Sequence, residues 1–327
     1  MIAAIVLSAY NGEKDILRQL CSLLEQTRPA DLVVISDDCS ADGTVEAVSR
    51  FIRENKLQNW SVSVREHNVG WMRNFHDLIL SAPADLVFPC DQDDIWHPTK
   101  LAEMTRVMEE HPEIDLLASD YRPLYLDDTR RISSKITEGM DNSGRLETLS
   151  FDEHFMNVLR PGCTFAVRKS FCEKLAPCWD AGLPHDAMLW RSALAAGSAA
   201  IYHKELITWR RYDSSSSNPN SASDQYEDKK RLMLDFYVEN CSSHLLYLEK
   251  LRSLIEQGSL SVSERTDRIL RESEAFEQAW KDALSSHNAL RLAGDILRYR
   301  RFFLSVRNAL YQAYISLRTR QSARKLP

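Results

Sequence analysis

Three carboxylates stand within four residues at Asp91-Gln92-Asp93-Asp94, directly after the apolar run Val87-Phe88-Pro89-Cys90. Like charges this close repel and resist burial unless a cation neutralises them. Mg2+ and Mn2+ take such oxygen ligands, usually one or two carboxylates completed by substrate phosphates. A solvated acidic turn is the other reading, and the run alone does not separate the two. A second acidic group, Asp37-Asp38-Cys39-Ser40-Ala41-Asp42-Gly43-Thr44, also closes an apolar run. A carboxylate at Asp38 can accept a hydrogen bond from the N3–H of uracil or thymine, a proton that cytosine lacks. Asp42 or Ser40 can equally cap a helix, and capping needs only one of these residues.

Both groups sit where the sequence pattern places strand ends. Residues 2–9, 31–38, 60–66, 85–90 and 115–126 read as strands. Helical spacing fills the gaps: Ile16, Leu20, Leu23 and Leu24, then Val45, Val48, Phe51 and Ile52, then residues 71–80. Pro98 stands at the first turn of a further helix. This β-α-β-α order predicts an α/β fold, a Rossmann-like, mostly parallel sheet flanked by helices, with ligands at the carboxyl ends of the strands. Residues 129–149 are polar and aperiodic and read as a long loop near the site. A short helix near 151–158, a strand at 163–168, a helix at 185–196 and two strands at 199–202 and 206–209 follow. Residues 213–223, rich in Ser and Asn, mark a boundary. Beyond it Leu234, Val238, Cys241, Leu245, Leu248 and Ile255 recur at helical steps, as do Leu292, Ile296, Phe303, Val306, Leu310 and Leu317. The expected division is a catalytic domain over 1–215 and a C-terminal α-helical extension over 216–327.

Composition narrows the class. Seven scattered cysteines without a Cys-x-x-Cys pair argue against a zinc site and a disulfide framework, and point to a reducing cytoplasm. The apolar run at 2–7 has no basic segment before it, so no secretory leader is expected, and no stretch is long and apolar enough to span a bilayer. The net charge of −6 hides an asymmetry: residues 291–327 carry nine Arg and Lys against Asp295, leaving −14 on the rest. An acidic body is a poor nucleic-acid binder, so no nucleic-acid partner is expected. The basic, aromatic tail, with Arg298, Arg300, Arg301, Arg307, Arg318 and Arg320 among Phe302, Phe303, Tyr311 and Tyr314, suits an anionic membrane surface at 318–325. The other reading is a helix docked on the body or on a second subunit, which would make the chain an oligomer.

Leu7-Ser8-Ala9-Tyr10-Asn11, the Asp37-Asp38 to Thr44 run, His67-Asn68-Val69-Gly70 with Asn74, and Asp91-Gln92-Asp93-Asp94 occur in order. Together they resemble family 2 glycosyltransferases of the GT-A fold, and in particular bacterial rhamnosyltransferase-type members that build surface polysaccharides. The resemblance covers about residues 2–212. It implies a peripheral, metal-dependent, inverting enzyme moving rhamnose or a hexose from a dTDP- or UDP-sugar to a saccharide or lipid-linked saccharide of O-antigen or capsule type. Ala9 and Tyr10 would line the nucleotide pocket, Asp38 would hold the base, and Asn74 would lie near the donor. The acidic run would be the DxD-type motif for ribose and for Mg2+ or Mn2+, with Asp93 favoured as ligand and Asp91 or Asp94 assisting. The catalytic base of the family maps onto Asp186 in Pro184-His185-Asp186-Ala187, where a carboxylate can take the acceptor's proton. Gly162-Cys163-Thr164 resembles the strand facing the acceptor; Cys163 reads as a small filler, and His185 as packing before acceptor orientation.

One position departs from the family pattern. Relatives often carry Arg-x-His after the last core strand, and Trp209-Arg210-Arg211-Tyr212 puts tyrosine at the His position. Arg210 and Arg211 can still clamp phosphates, while a His ligand is in doubt. Two other readings compete. A dinucleotide-binding oxidoreductase needs a G-x-G-x-x-G turn that Ser8 to Gly12 lacks. A non-catalytic nucleotide-binding assembly module would not need Asp38, Asp91–Asp94 and Asp186 intact.

Overall fold

A computed structural model of the chain describes residues 1–126, 139–211 and 226–323, without the side chains of 226–230 and 320–323. Tyr212, the stretch 213–223, the 129–138 part of the expected loop and the basic residues from Arg320 onward fall outside these limits. Two compact units divide the chain, one of residues 1–150 with 158–215 and one of 151–157 with 216–327.

In the first unit β1 (Ala3–Ala9), β2 (Leu32–Asp37), β3 (Trp60–Val64) and β4 (Leu86–Asp91) alternate with α1 (Ile16–Leu24), α2 (Thr44–Glu54) and α3 (Trp71–Ser81). The strands pair in parallel in the order β3-β2-β1-β4, as their alternation with helices predicts. β1 and β4 are apolar nearly throughout because the sheet is covered on both faces. Then come β5 (Ile95–Trp96), α4 (Lys100–Glu110), β6 (Leu116–Tyr125), β7 (Leu146–Thr148), β8 (Phe165–Arg168), α5 (Lys169–Leu175), α6 (His185–Ala196) and β9 (Ala199–Arg211). The sheet continues β4-β8-β6-β9-β5, with β7 on β9. β8 lies antiparallel to β4 and β6, whereas β6 and β9 run parallel, so the far half of the sheet is mixed.

β8 pairs with β4 only at Leu86 and Val87, so Pro89, which has no N–H to give, lies past the end of that ladder. The short 3-10 turn Gly162–Thr164 takes the space beside the rest of β4. That turn brings Cys163 to the acidic run.

Three local expectations are corrected. Residues 151–158 form isolated turns, not a helix: the Asp152 carboxylate takes the His154 amide at 2.8 Å, closing the chain locally. The two strands expected at 199–202 and 206–209 are one, β9, whose pairing with β6 jumps from Ser119–Tyr202 to Asp120–Glu205. This bulge breaks the alternation that made it read as two. Residues 146–148, inside the expected loop, are β7.

The second unit holds α7 (Tyr226–Glu256), α8 (Glu264–Ser286), α9 (Ala289–Arg298) and α10 (Val306–Ala323). Its core joins Leu234, Cys241, Phe276, Trp280, Leu284 and Ile296. Ser263 and Asn288 cap α8 and α9 through their side-chain oxygens. Among the described residues no helix is long and apolar enough to cross a membrane.

Candidate active site

The parallel register sets Ala9 opposite Asp37 and Ser8 opposite Asp91, so the carboxyl ends of β1, β2 and β4 lie side by side. Gln92, a mere spacer in the sequence, fixes the next step. Its side-chain oxygen takes the Tyr10 amide at 2.8 Å and its nitrogen donates to the Tyr10 carbonyl at 3.0 Å. A Cβ at Gly12 would collide with that amide, which gives this glycine its reason. Tyr10 itself projects half-exposed, and Ala9 is buried.

Within the acidic run the three carboxylates differ. Asp91 and Asp93 keep partial access to solvent, whereas Asp94 is fully buried. One Asp94 oxygen takes the Arg210 amide at 3.1 Å; Oδ2 has no hydrogen-bond partner among the described residues. Burial, then Asp93 and Asp186, pushes the Asp91 carboxyl up to about 7. Burial, then Asp91 and Asp93, pushes Asp94 well up, and burial raises Asp93 as well. The Cys163 thiol faces this group, with ligand atoms of Asp91, Asp94 and Cys163 all within 4.8 Å of one another. Burial and the two carboxylates push the thiol up, so it stays protonated and offers them its S–H. Cys163 is therefore a neutral wall of the acidic site and more than a filler.

Beneath the run lies Lys100, also missed in the sequence. Its ammonium is buried, 4.0 Å from the centre of the Trp96 ring and 5.5 Å from that of Phe88, and has no hydrogen-bond partner among the described residues. Burial draws it down to about 8, against the pull of Cys163, Cys90 and Asp94. Three crowded carboxyls with raised affinity for protons fit a divalent cation on the solvent side of Asp91 and Asp93. A second group, Asp120, Asp141 and His203, also has metal-ligand spacing. There the Arg160 guanidinium already gives Asp120 two bonds, at 2.9 and 2.7 Å, so this cluster holds its own cation.

Asp186 lies in the first turn of α6, its carboxylate accepting the Ala187 amide at 2.7 Å and close enough to raise Asp91. A Cβ at Gly162 would collide with His185 Nε2 and come within 3.1 Å of the Asp186 Cβ, so only glycine lets α6 approach the turn that carries Cys163. His185 is packing: its ring lies 4.1 Å from Phe75, and neither nitrogen finds a partner among the described residues. Burial draws it down to about 4, leaving a neutral imidazole.

The remaining expected residues serve the frame. Asn74 is buried, donating to Ser8 Oγ at 2.8 Å and the Ser36 carbonyl at 2.9 Å and accepting from Ser36 Oγ and Arg65 Nε. Its amide is spent on tying β1 to β2, so the expectation that it faces the donor gives way to a structural one. Asp38, buried, takes the Val69 and Gly70 amides at 2.8 and 2.9 Å. Asp37 takes both the amide and hydroxyl of Ser40. Arg210 donates to Asp15 at 2.7 Å and to the Asp93 carbonyl at 3.0 Å, holding the acidic run in place. Arg211 stacks its guanidinium 4.5 Å over Trp209 and favours the ionised forms of Asp91 and Asp93.

Residues 4–175 match the family described as Glycosyl transferase family 2. A dTDP-rhamnosyl transferase, RfbG, of Shigella flexneri is 28% identical over 167 residues, covering 50% of this chain and 54% of that protein. Over the first curated relatives it matches, the chain spans between about a third and a half of their length. The structure of Staphylococcus aureus TarS 1–349 in complex with UDP aligns with a TM-score of 0.61 at 18% identity, over 98% of this chain and 92% of that one. A mannosyltransferase from Pyrobaculum calidifontis, in complex with GDP-Man and Mn2+, aligns at 0.56 and 13% identity, over 98% and 86%. At these identities the two structures establish the shared fold.

Proposed function

The chain belongs to glycosyl transferase family 2, and from that premise we propose an inverting transferase that moves rhamnose or a hexose from a dTDP- or UDP-sugar to a saccharide acceptor of a bacterial surface polysaccharide. The observation that carries it is Asp186, held by Gly162 at the start of α6 and close enough to Asp91 to raise its carboxyl. In this reading Ala9 and Tyr10 line the nucleotide pocket. Asp38 shapes its wall by fixing Val69 and Gly70, and Asn74 holds β1 and β2 together behind it. Arg211 faces the diphosphate, and Arg210 positions the acidic run. Asp91 and Asp93 hold Mg2+ or Mn2+, with Asp94 supporting them from below through the Arg210 amide.

Asp91 and Asp93 would hold that cation, which when bound would supply charge to offset the departing diphosphate. The acceptor hydroxyl forms its bond to the anomeric carbon on the opposite face as the bond to the diphosphate breaks. Asp186 takes the proton of that hydroxyl, so configuration inverts and no covalent intermediate forms. The Cys163 thiol, held protonated by burial and the neighbouring carboxylates, does not compete with Asp186 as a base. A lipid-linked acceptor, met at an anionic membrane surface from the cytoplasmic side, agrees with the basic tail and with two exposed leucines of α9.

A donor-hydrolysis screen of dTDP- and UDP-sugars with Mn2+ or EDTA tests this. One donor should turn over with metal, and Asp93→Ala should abolish that turnover. Asp186→Ala should lower transfer by about 100-fold or more while nucleotide affinity, read by calorimetry, stays the same. Normal transfer by Asp186→Ala would end the base assignment.

A further inference from the structure

The helical unit contains a cavity of about 150 Å³ of its own, between α7, α8, α10 and the turn 151–157. Cavities of roughly this size hold one benzene-sized ring. Its walls are aromatic. Phe276 stacks on Phe302 at 5.2 Å and meets Phe303 edge-on at 5.0 Å, and Trp280 meets Phe303 at 4.9 Å.

Its floor is polar, which a purely structural core would avoid. Glu277, buried, pairs with His244 Nδ1 at 2.6 Å and also faces the Cys241 thiol. Ser273, buried, also lines this space. At the mouth stand the side chains of Asn240 and Asn308, both exposed, and of Gln312, whose oxygen already takes the Trp280 indole N–H at 2.9 Å.

This combination selects a ligand class. Glu153 and Glu277 among the lining residues, with His244 as the basic one, disfavour a phosphate or other anion. The buried Ser273 hydroxyl and Glu277 carboxylate disfavour an acyl chain. A neutral pyranose presents an apolar C–H face, which suits an aromatic wall, and a rim of hydroxyls that both donate and accept. Glu277 and the amides match that rim. We propose that this cavity binds one neutral saccharide ring of the acceptor, a binding site carried by the helical unit itself. The proposal rests on the transferase reading for the word acceptor, and on the lining alone for the word saccharide.

The test uses the intact chain without nucleotide. Methyl α-rhamnoside, methyl α-mannoside and methyl N-acetyl-β-glucosaminide are titrated while the Trp280 indole N–H resonance, identified with Trp280→Phe, is followed by NMR. At least one glycoside should shift that resonance saturably in the millimolar range. Asn308→Trp, at an exposed position where folding is not at stake, should close the mouth. It should weaken binding by about tenfold and raise the acceptor KM by a similar factor. No shift with any of the three glycosides, or unaltered affinity in Asn308→Trp, would overturn the proposal, even where donor hydrolysis is intact. Binding at Trp280 without donor turnover would instead sink the transferase reading and leave the cavity a saccharide site.

Discussion

At the scale of single residues, His185 shows how position changes chemistry. A histidine beside the proposed catalytic carboxylate invites an acid–base role, but this ring lies against Phe75 without a partner for either nitrogen among the described residues, and burial draws it down to about 4. The folded protein therefore refuses a proton that the unfolded chain binds near pH 6.5. Between about 6.5 and 4 the unfolded state holds more protons, so stability falls as pH falls, by at most about 1.4 kcal/mol per unit from this group. His185→Leu should flatten that part of the urea-midpoint profile and leave stability near pH 8 within about 1 kcal/mol. An unchanged acid slope in the variant would refute the assignment. The acidic run and the paired Asp37-Asp38 stood out by type and spacing, whereas Asp186 was marked only by the family resemblance. Lys100, Gln92 and the environment of Cys163 did not stand out. A buried lysine under two aromatic rings looks like any helix-start lysine until the sheet is assembled, and Gln92 gains its meaning only from Tyr10, 82 positions away. Asn74 was legible as a marked position but not as a structural one, because hydrogen-bond partners are chosen in space.

The elements divide in the same manner. β1 to β4 with their helices follow from local alternation, since each parallel strand is covered on both faces and each crossover is a single helix. The second half of the sheet does not, because β8 enters antiparallel between β4 and β6, and the β9 bulge disguises one strand as two. What joins the halves is the Gly162–Thr164 turn, and its glycine is a testable hinge of the whole site. Gly162→Ala places a methyl group against His185 Nε2 and the Asp186 Cβ. The start of α6 must then shift away from the Gly162–Thr164 turn. The expected result is a loss of about 1–3 kcal/mol in stability, as for other overpacked sites. Transfer should fall by at least about tenfold while UDP or dTDP affinity holds, because β1, β2 and Gln92 are untouched. Chemical denaturation and single-turnover transfer assays check both. Weakened nucleotide binding with normal transfer would mean that Gly162 shapes the donor side instead.

For the whole molecule the sequence foretold a charge division and a run of helices, but not which helix faces stay open. α9 turns Leu292 and Ile296 inward, yet Leu290 is 87% and Leu297 is 78% exposed, seven positions apart on its other side. Arg291, Arg298 and Arg300 are exposed beside them. This pairing of bare leucines with arginines suits a surface that is both apolar and anionic, and it adds α9 to the contact expected at 318–325. Each arginine near such a surface contributes about 1 kcal/mol, and each buried leucine side chain roughly 1.5–3 kcal/mol. Flotation with phosphatidylserine vesicles separates the two sources. The intact protein should float at low salt, raised salt should release most of it, and Leu290→Ser with Leu297→Ser should weaken partitioning by at least about tenfold even at low salt. If the intact chain stays at the bottom of the gradient at low salt, there is no membrane contact. If the double variant floats unchanged but changes its sedimentation coefficient, the two leucines meet a second copy of the chain.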